Sequence, residues 1–593
     1  MKTVGRASAS ALAVAFLLVV SANAFSQPLF EDVAQDLGIM DVIANACDVY
    51  WYDYDNDQDL DLIVAHRYGS TTYLYRNDGA QFTRLDHIGL PENWDGGIGG
   101  AMDFDHDGDL DLYTRCYHSP STLLVYQNGV FTDYTSELGL PYEAGTRGCR
   151  WVDFDRDGWM DLLWGSDYTG FHLYRNYNGI AFTDITSVSQ LPSLSSFSEI
   201  CEADADLDGD IDLFMTRTNG DDHFFVNQGN GVFVDYTAPA GLNAACGKID
   251  CRWVDIDHDK YPDILTQAVD RHTIWHNNGD NTFTEMTVHG TETDFSVAAP
   301  YGATYTIADF DMDGDYDFYA VRPGGCGSAP ALNQLFIQDS INGTDVWFHD
   351  AAPDFGMNIL SNGSSSTADI DGDGDLDLTV SNSSGQVFIF RNNTVSSNFL
   401  QVRVLGPNGE QDRWHTRIDL CPHGSPTVLR SSELNNSNVD RNGFNNYFVT
   451  DANSHYDLRI YFACGTVMTP EEYPYLADIV PSEINHKLTV YMGSPTATPD
   501  LPNPTVGEFR LNAAYPNPFN AMTTISYSVP KSGPARLAVY NIAGQLVRDL
   551  VNGTVTAGSH NVSYNAETQT SGIYFVRLEA GEQMATQKIV LLK

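Results

Sequence analysis

The chain has 593 residues, 42% apolar and 12% aromatic, with 79 acidic against 31 basic side chains and a formal net charge of −48. That length exceeds one ordinary hydrophobic core, and the apolar content excludes a disordered chain, so several folded domains are expected. The charge excludes nucleic acid and anionic membranes as main partners, because both need a basic surface, and it makes cations natural ones.

At the N-terminus Lys2 and Arg6 precede the apolar run ALAVAFLLVV (11–20) and then Ala22-Asn23-Ala24. This is the layout of a cleavable secretory signal, residues 1–24, and the run is too short to span a bilayer. The mature chain is expected to start near Phe25, without a transmembrane segment, in a compartment that permits disulfides. Nine cysteines, spread from Cys47 to Cys464, include no CxxC motif. The expected pairs are Cys246 with Cys251 and Cys421 with Cys464.

From Asp53 the stretch DYDNDQDLDL begins a series of seven related copies, with first aspartates at 53, 103, 153, 204, 255, 309 and 369. A period near 50 residues marks a stacked or circular array rather than independent domains. Around each copy an apolar strand enters (CRWVDFD), a second leaves (DLLWGS), a third carries an aromatic and Asn (FHLYRN), and a fourth opens with Phe (AFTDIT). Four strands per repeat make one blade of a seven-bladed β-propeller. The fourth-strand Phe recurs at Phe82, Phe131, Phe182, Phe233, Phe283 and Phe348 but is missing after the seventh loop. LFEDVAQDLGI (29–39) has that form and precedes the first loop, so the N-terminal strand is expected to complete blade seven and close the ring.

Positions 1, 3, 5 and 9 of every loop are aspartate. The ligands expected are Asp53, Asp55, Asp57 and Asp61; Asp103, Asp105, Asp107 and Asp111; Asp153, Asp155, Asp157 and Asp161; and Asp204, Asp206, Asp208 and Asp212. The remaining three loops offer Asp255, Asp257, Asp259 and Asp263; Asp309, Asp311, Asp313 and Asp317; and Asp369, Asp371, Asp373 and Asp377. Carboxylates about 4 Å apart repel by roughly 4 kcal/mol per pair at a protein surface, so such a loop calls for a cation. Alternating hard oxygens, a carbonyl at position 7 and a glycine bend at position 6 suit Ca2+ better than Mg2+, with up to seven ions expected. The loops run straight into strands and lack Glu at position 12, which separates them from EF-hands. Gln58 in loop 1, and Lys260 with Pro262 in loop 5, mark those two as the weakest. The histidines at position 4, His106 and His258, are expected to point outward and to do no chemistry.

The loops and strands resemble the FG-GAP/VCBS repeats of integrin-α-like β-propellers over residues 25–395. The resemblance implies that the loops join first and second strands on the lower face and are mainly structural. Arg67, Arg115, Arg217 and Arg322 follow the first Asp of their loops by 12 to 14 residues, and Arg150 and Arg252 begin first strands. These six are the candidate ligand-binding residues for an anionic or carbohydrate ligand at the upper mouth, with pairing to nearby acids as the alternative. No GxSxG, HExxH or Walker motif occurs, and no catalytic residues are assigned.

Beyond Asn398 the Asp loops give way to alternating strands such as FLQVRVLG and HKLTVYM, and residues 396–493 are weakly similar to the ASPIC/UnbV domain. SPTATPDLPNP opens a stiff linker, 494–510. Residues 511–593, with YPNPFN, VYNIAGQLVRDL and SGIYFVRL, closely resemble the C-terminal sorting domain of type IX secretion cargo and are expected to form an Ig-like β-sandwich. The fold class is therefore all-β. The expected product is a secreted or cell-surface calcium-binding protein, not an enzyme, that engages an extracellular carbohydrate or protein ligand and meets the secretion machinery through its tail. The alternative is a lyase-like polysaccharide-active enzyme using the upper face.

Overall fold

The structure, a computed structural model, describes residues 29–591 apart from connecting segments. The longest of these are 291–303, 323–331, 407–414, 435–444, 462–474, 500–509 and 512–521. The expected signal segment lies outside the described residues.

Each Asp repeat builds one antiparallel sheet. In the third, Thr146–Val152, Asp161–Ser166, Gly170–Asn176 and Phe182–Asp184 pair in that order, and four further sheets repeat this arrangement with consecutive strands. The sixth sheet gains a fifth strand, Thr287–His289, parallel to Asp345–Asp350. In the seventh, Ser365–Ala368, Asp377–Ser381 and Val387–Asn392 are completed by Phe30–Asp32, with Phe30 opposite Asn392 and Asp32 opposite Phe390. The first strand of each sheet touches that of the next, and Ser365–Ala368 returns to Ala46–Tyr52, so the seven sheets form a closed ring.

The innermost strands are buried on both sides because each lies between two neighbours and the axis. All seven residues of Gly96–Met102 are buried. Their small size is a packing demand: a Cβ on Gly99 would stand 2.1 Å from the Cys149 Sγ of the next sheet. Phe182 packs against Trp151 of its own sheet at 6.0 Å and against Phe104 of the preceding repeat at 5.9 Å. Each such buried aromatic contributes about 1.5–3 kcal/mol.

The third-strand amide side chain is a clamp between blades. Asn176 Nδ2 donates to the Phe104 carbonyl, Asn227 to Phe154, Asn277 to Ala205 and Asn392 to Phe310, at 2.8–3.2 Å, each acceptor being position 2 of the preceding loop. Gln338 takes this place in the sixth blade, reaching Ile256 at 3.4 Å.

The expected cysteine pairs are corrected by these contacts. Cys251 is a buried free thiol that donates to the Phe214 carbonyl of the adjacent blade at 3.8 Å, beside Cys201, and Cys421 is also a buried free thiol. Cys246 and Cys464 lie outside the described residues.

After the ring, two four-stranded sheets enclose Leu400, Val402, Ile418, Leu420, Leu458 and Val490. The stretch read as linker is partly recruited, since Thr498–Pro499 pairs with Lys487–Tyr491 as an edge strand, a place where proline's missing N–H is tolerated. This unit packs on the Asp-loop face. Arg403 Nη2 lies 3.3 Å from Asp53 Oδ2, and Arg430 Nη2 lies 3.4 Å from Asp315 Oδ1. Phe399 lies under loop 7, where a Cβ on Gly374 would stand 2.3 Å from its ring. The C-terminal unit is a three-stranded and a four-stranded sheet around Ile525, Leu537, Val576, Leu578 and Ile589.

Candidate metal centre

The Asp loops share a common set of hydrogen bonds. The position-9 carboxylates are at most 1% exposed. One oxygen of each accepts a third-strand backbone N–H at 2.7–2.9 Å, in all seven blades. In six blades the other oxygen accepts the position-2 N–H, as in Phe154 to Asp161 at 3.2 Å and Phe310 to Asp317 at 2.8 Å. The position-5 carboxylate accepts the position-7 N–H in every loop. Position 6 has positive φ in each loop where it is described, glycine in five and Lys260 at +80° in loop 5.

This scaffold turns acidic oxygens toward one another. Asp53, Asp55 and Asp57 bring ligand atoms within 4.8 Å of each other, as do Asp103, Asp105 and Asp107; Asp153, Asp155 and Asp161; and Asp204, Asp206 and Asp208. Asp111 Oδ2, Asp155 Oδ1 and Asp255 Oδ1 are sealed from solvent and make no hydrogen bond. Burial, followed by neighbouring aspartates, pushes Asp55 up to about 7, Asp105 to about 6 and Asp309 to about 8. A hard divalent cation suits such a set, since it supplies the missing charge and takes oxygens that are already oriented.

Three features were not read from the sequence. The position-4 side chains do not simply point outward: His106 stacks on Trp159 at 4.0 Å, Arg156 Nε meets Asp210 at 2.9 Å, and His258 Nε2 meets Asp315 at 3.0 Å. Each reaches position 7 of the next loop, so adjacent loops are joined. The third strand also lends some loops a cation, as Arg175 lies 2.7 Å from Asp155 and 2.9 Å from Asp157. In loop 5 the grouped ligands are Asp257, Asp259 and a histidine, His276.

The arginines singled out on sequence grounds divide by position. Arg150 and Arg252 line the axis, where Arg150 meets Glu199 at 2.7 Å and Glu202 at 3.0 Å, and Arg252 pairs with Asp250. Arg115 reaches Glu199 at 3.7 Å and Asp48 at 3.8 Å. Although burial alone would raise it, Glu199 is held below the usual carboxylate range by Arg150 and Arg115. Glu202 is pushed up to about 7 by burial, which Arg150 only partly offsets. Arg217 and Arg322 stand at the strand ends away from the Asp loops, and Arg67 lies outside the described residues.

Comparison with known proteins identifies the repeats and the C-terminal unit. The FG-GAP-like repeat matches residues 53–114, 103–164, 153–215 and 204–266, and the secretion system C-terminal sorting domain matches residues 513–592. No curated protein matches the chain. Among solved structures, one described under specific recognition of non-reducing terminal N-acetylglucosamine by an Agrocybe aegerita lectin is 14% identical. It covers 69% of this chain and 96% of its own, with a TM-score of 0.34, too distant to bear on ligand or mechanism. No helix among the described residues is long and apolar enough to cross a membrane. The chain thus carries FG-GAP-like repeats on a β-propeller and a type IX secretion sorting domain that directs it to the cell surface or the extracellular space.

Proposed function

We propose that the protein is an extracellular binding or adhesion module whose propeller is stabilised by calcium and whose ligand is a carbohydrate or another surface molecule. The observation that carries this reading is the division of the propeller into two faces. On one face the Asp loops are engaged with each other and, at loops 1, 6 and 7, with Arg403, Arg430 and Phe399 of the following unit. The opposite face carries the connections from second to third strands and from one sheet to the next, and it is the face left for a ligand.

Calcium acts here by structure. Bound at the position 1, 3 and 5 carboxylates, it supplies positive charge, and the chain's own groups fix the loop around it. Arg115, 23% exposed, and Arg217 mark the rim that an acidic or hydroxyl-rich ligand would meet.

The test is retention of the full chain on immobilised neutral and acidic polysaccharides, in calcium and then in chelator, while released fragments are assayed. Calcium-dependent retention without fragments, weakened by Arg115→Ala with Arg217→Ala, supports the reading. Released fragments would show a polysaccharide-active enzyme instead, and absence of retention on every polysaccharide and surface protein tried would remove the binding role.

A further inference from the structure

Loop 5 departs from its relatives in its donors as well as in its turn. One residue before the third-strand position that bonds the position-9 Asp, three repeats carry arginine (Arg76, Arg175, Arg391) and three a buried aliphatic residue (Val125, Val226, Ile337). The fifth carries His276. Its Nδ1 is sealed from solvent and faces two carboxylates, Asp257 Oδ2 at 3.1 Å and Asp263 Oδ1 at 3.4 Å. Two donors each about 2.1 Å from one ion stand roughly 3.0 Å apart in an octahedron and about 3.4 Å apart in a tetrahedron, so the three groups can share one ion without moving, although a direct ion pair has the same separations.

A second observation points to the same spot. Asp255 is 8% exposed, its charged neighbours are Asp263, Asp259 and Asp257, and its Oδ1 has no hydrogen bond. Lys260 replaces the glycine of the turn and Pro262 follows it, so the loop has left the sequence pattern that suits calcium while keeping every carboxylate. Calcium takes oxygen donors, whereas imidazole nitrogen combined with carboxylate is the donor set of first-row divalent ions such as zinc, manganese and cobalt.

We propose that loop 5 binds a first-row divalent transition ion through His276 Nδ1 and the carboxylates of Asp257, Asp259 and Asp263. The inference rests on reading the loops as cation sites, a reading that calcium uptake by the other loops tests separately. The competing role for His276 is a built-in counter-ion, the part Arg175 plays in loop 3.

The full chain, stripped with chelator and then saturated with calcium, is titrated with Co2+ while its visible absorption and the paramagnetically shifted imidazole N–H resonance are followed. The expected result is uptake of one equivalent against calcium, with a shifted imidazole signal that zinc abolishes. His276→Val copies the fourth repeat, and His276→Arg copies the third and keeps a positive charge. Both are expected to lose the shifted signal and to bind Co2+ at least about tenfold more weakly. If His276→Val does not fold, His276→Arg decides the matter. Wild-type protein that takes no Co2+ against calcium, or His276→Arg with wild-type Co2+ binding, would overturn the proposal.

Discussion

At the scale of single residues, the axis of the propeller is held by charges that have no water to fall back on. Arg150 is 3% exposed and faces Glu199 and Glu202, so Arg150→Ala leaves the buried Glu202 and the half-buried Glu199 without their main partner. Removing one side of such a pair costs about 3–5 kcal/mol, which urea unfolding of the two proteins measures. Arg115→Ala, whose ion pairs are longer and partly exposed, is expected to cost about 1 kcal/mol or less. His272 gives a pH signature: burial, with a smaller push from Arg322, lowers it to about 3 from an ordinary 6.5. Between those values the unfolded chain holds a proton that the native protein does not. The stability His272 contributes is therefore complete above about pH 6.5 and is lost as pH falls. Moving from pH 7 to pH 5 is expected to cost about 2 kcal/mol through this residue, and the loss should shrink by that amount in His272→Asn. Equal losses in the two proteins would contradict the assignment. The repeated aspartates were legible one residue at a time because their spacing recurs seven times. The cysteine pairs were not, because Cys251 finds its neighbour, Cys201, across a blade boundary that local spacing does not encode.

At the scale of elements, four strands per repeat and closure by the N-terminal strand could be read from the sequence, since a fourth-strand Phe is missing at the end and present at the start. The clamp made by Asn176, Asn227, Asn277 and Asn392 could be seen as a pattern but not understood. Its acceptors are carbonyls of the preceding loop, some 72 to 82 residues earlier. The added strand Thr287–His289 gave no signal, being three residues long and paired in parallel with a strand far along the chain. Closure carries its own prediction. Deleting residues 29–39 exposes the edge of Val387–Asn392 and uncovers Phe390, so the deleted protein is expected to melt at lower temperature and to self-associate. A monomer with the melting temperature of the full chain would show that the strand does not close the ring.

At the scale of the whole molecule, the unit after the propeller packs on the Asp-loop face. Its partners are single charges and one ring, Arg403 on Asp53, Arg430 on Asp315 and Phe399 under Gly374, which no alternation pattern could announce. Arg403→Glu combined with Arg430→Glu turns two attractions into repulsions. It is expected to make the junction near residues 393–398 more susceptible to limited proteolysis while both cores stay folded, whereas an unchanged digestion pattern would argue against this packing. The overall balance of charge leads to the same loops, because 79 acidic side chains on one chain require cations somewhere. Calcium titration of the chelator-stripped full chain, followed by calorimetry and by thermal unfolding, tests that requirement most directly. Uptake of several equivalents with a rise in melting temperature is the predicted result, and a chain that binds none, or binds calcium without gaining stability, would contradict the account.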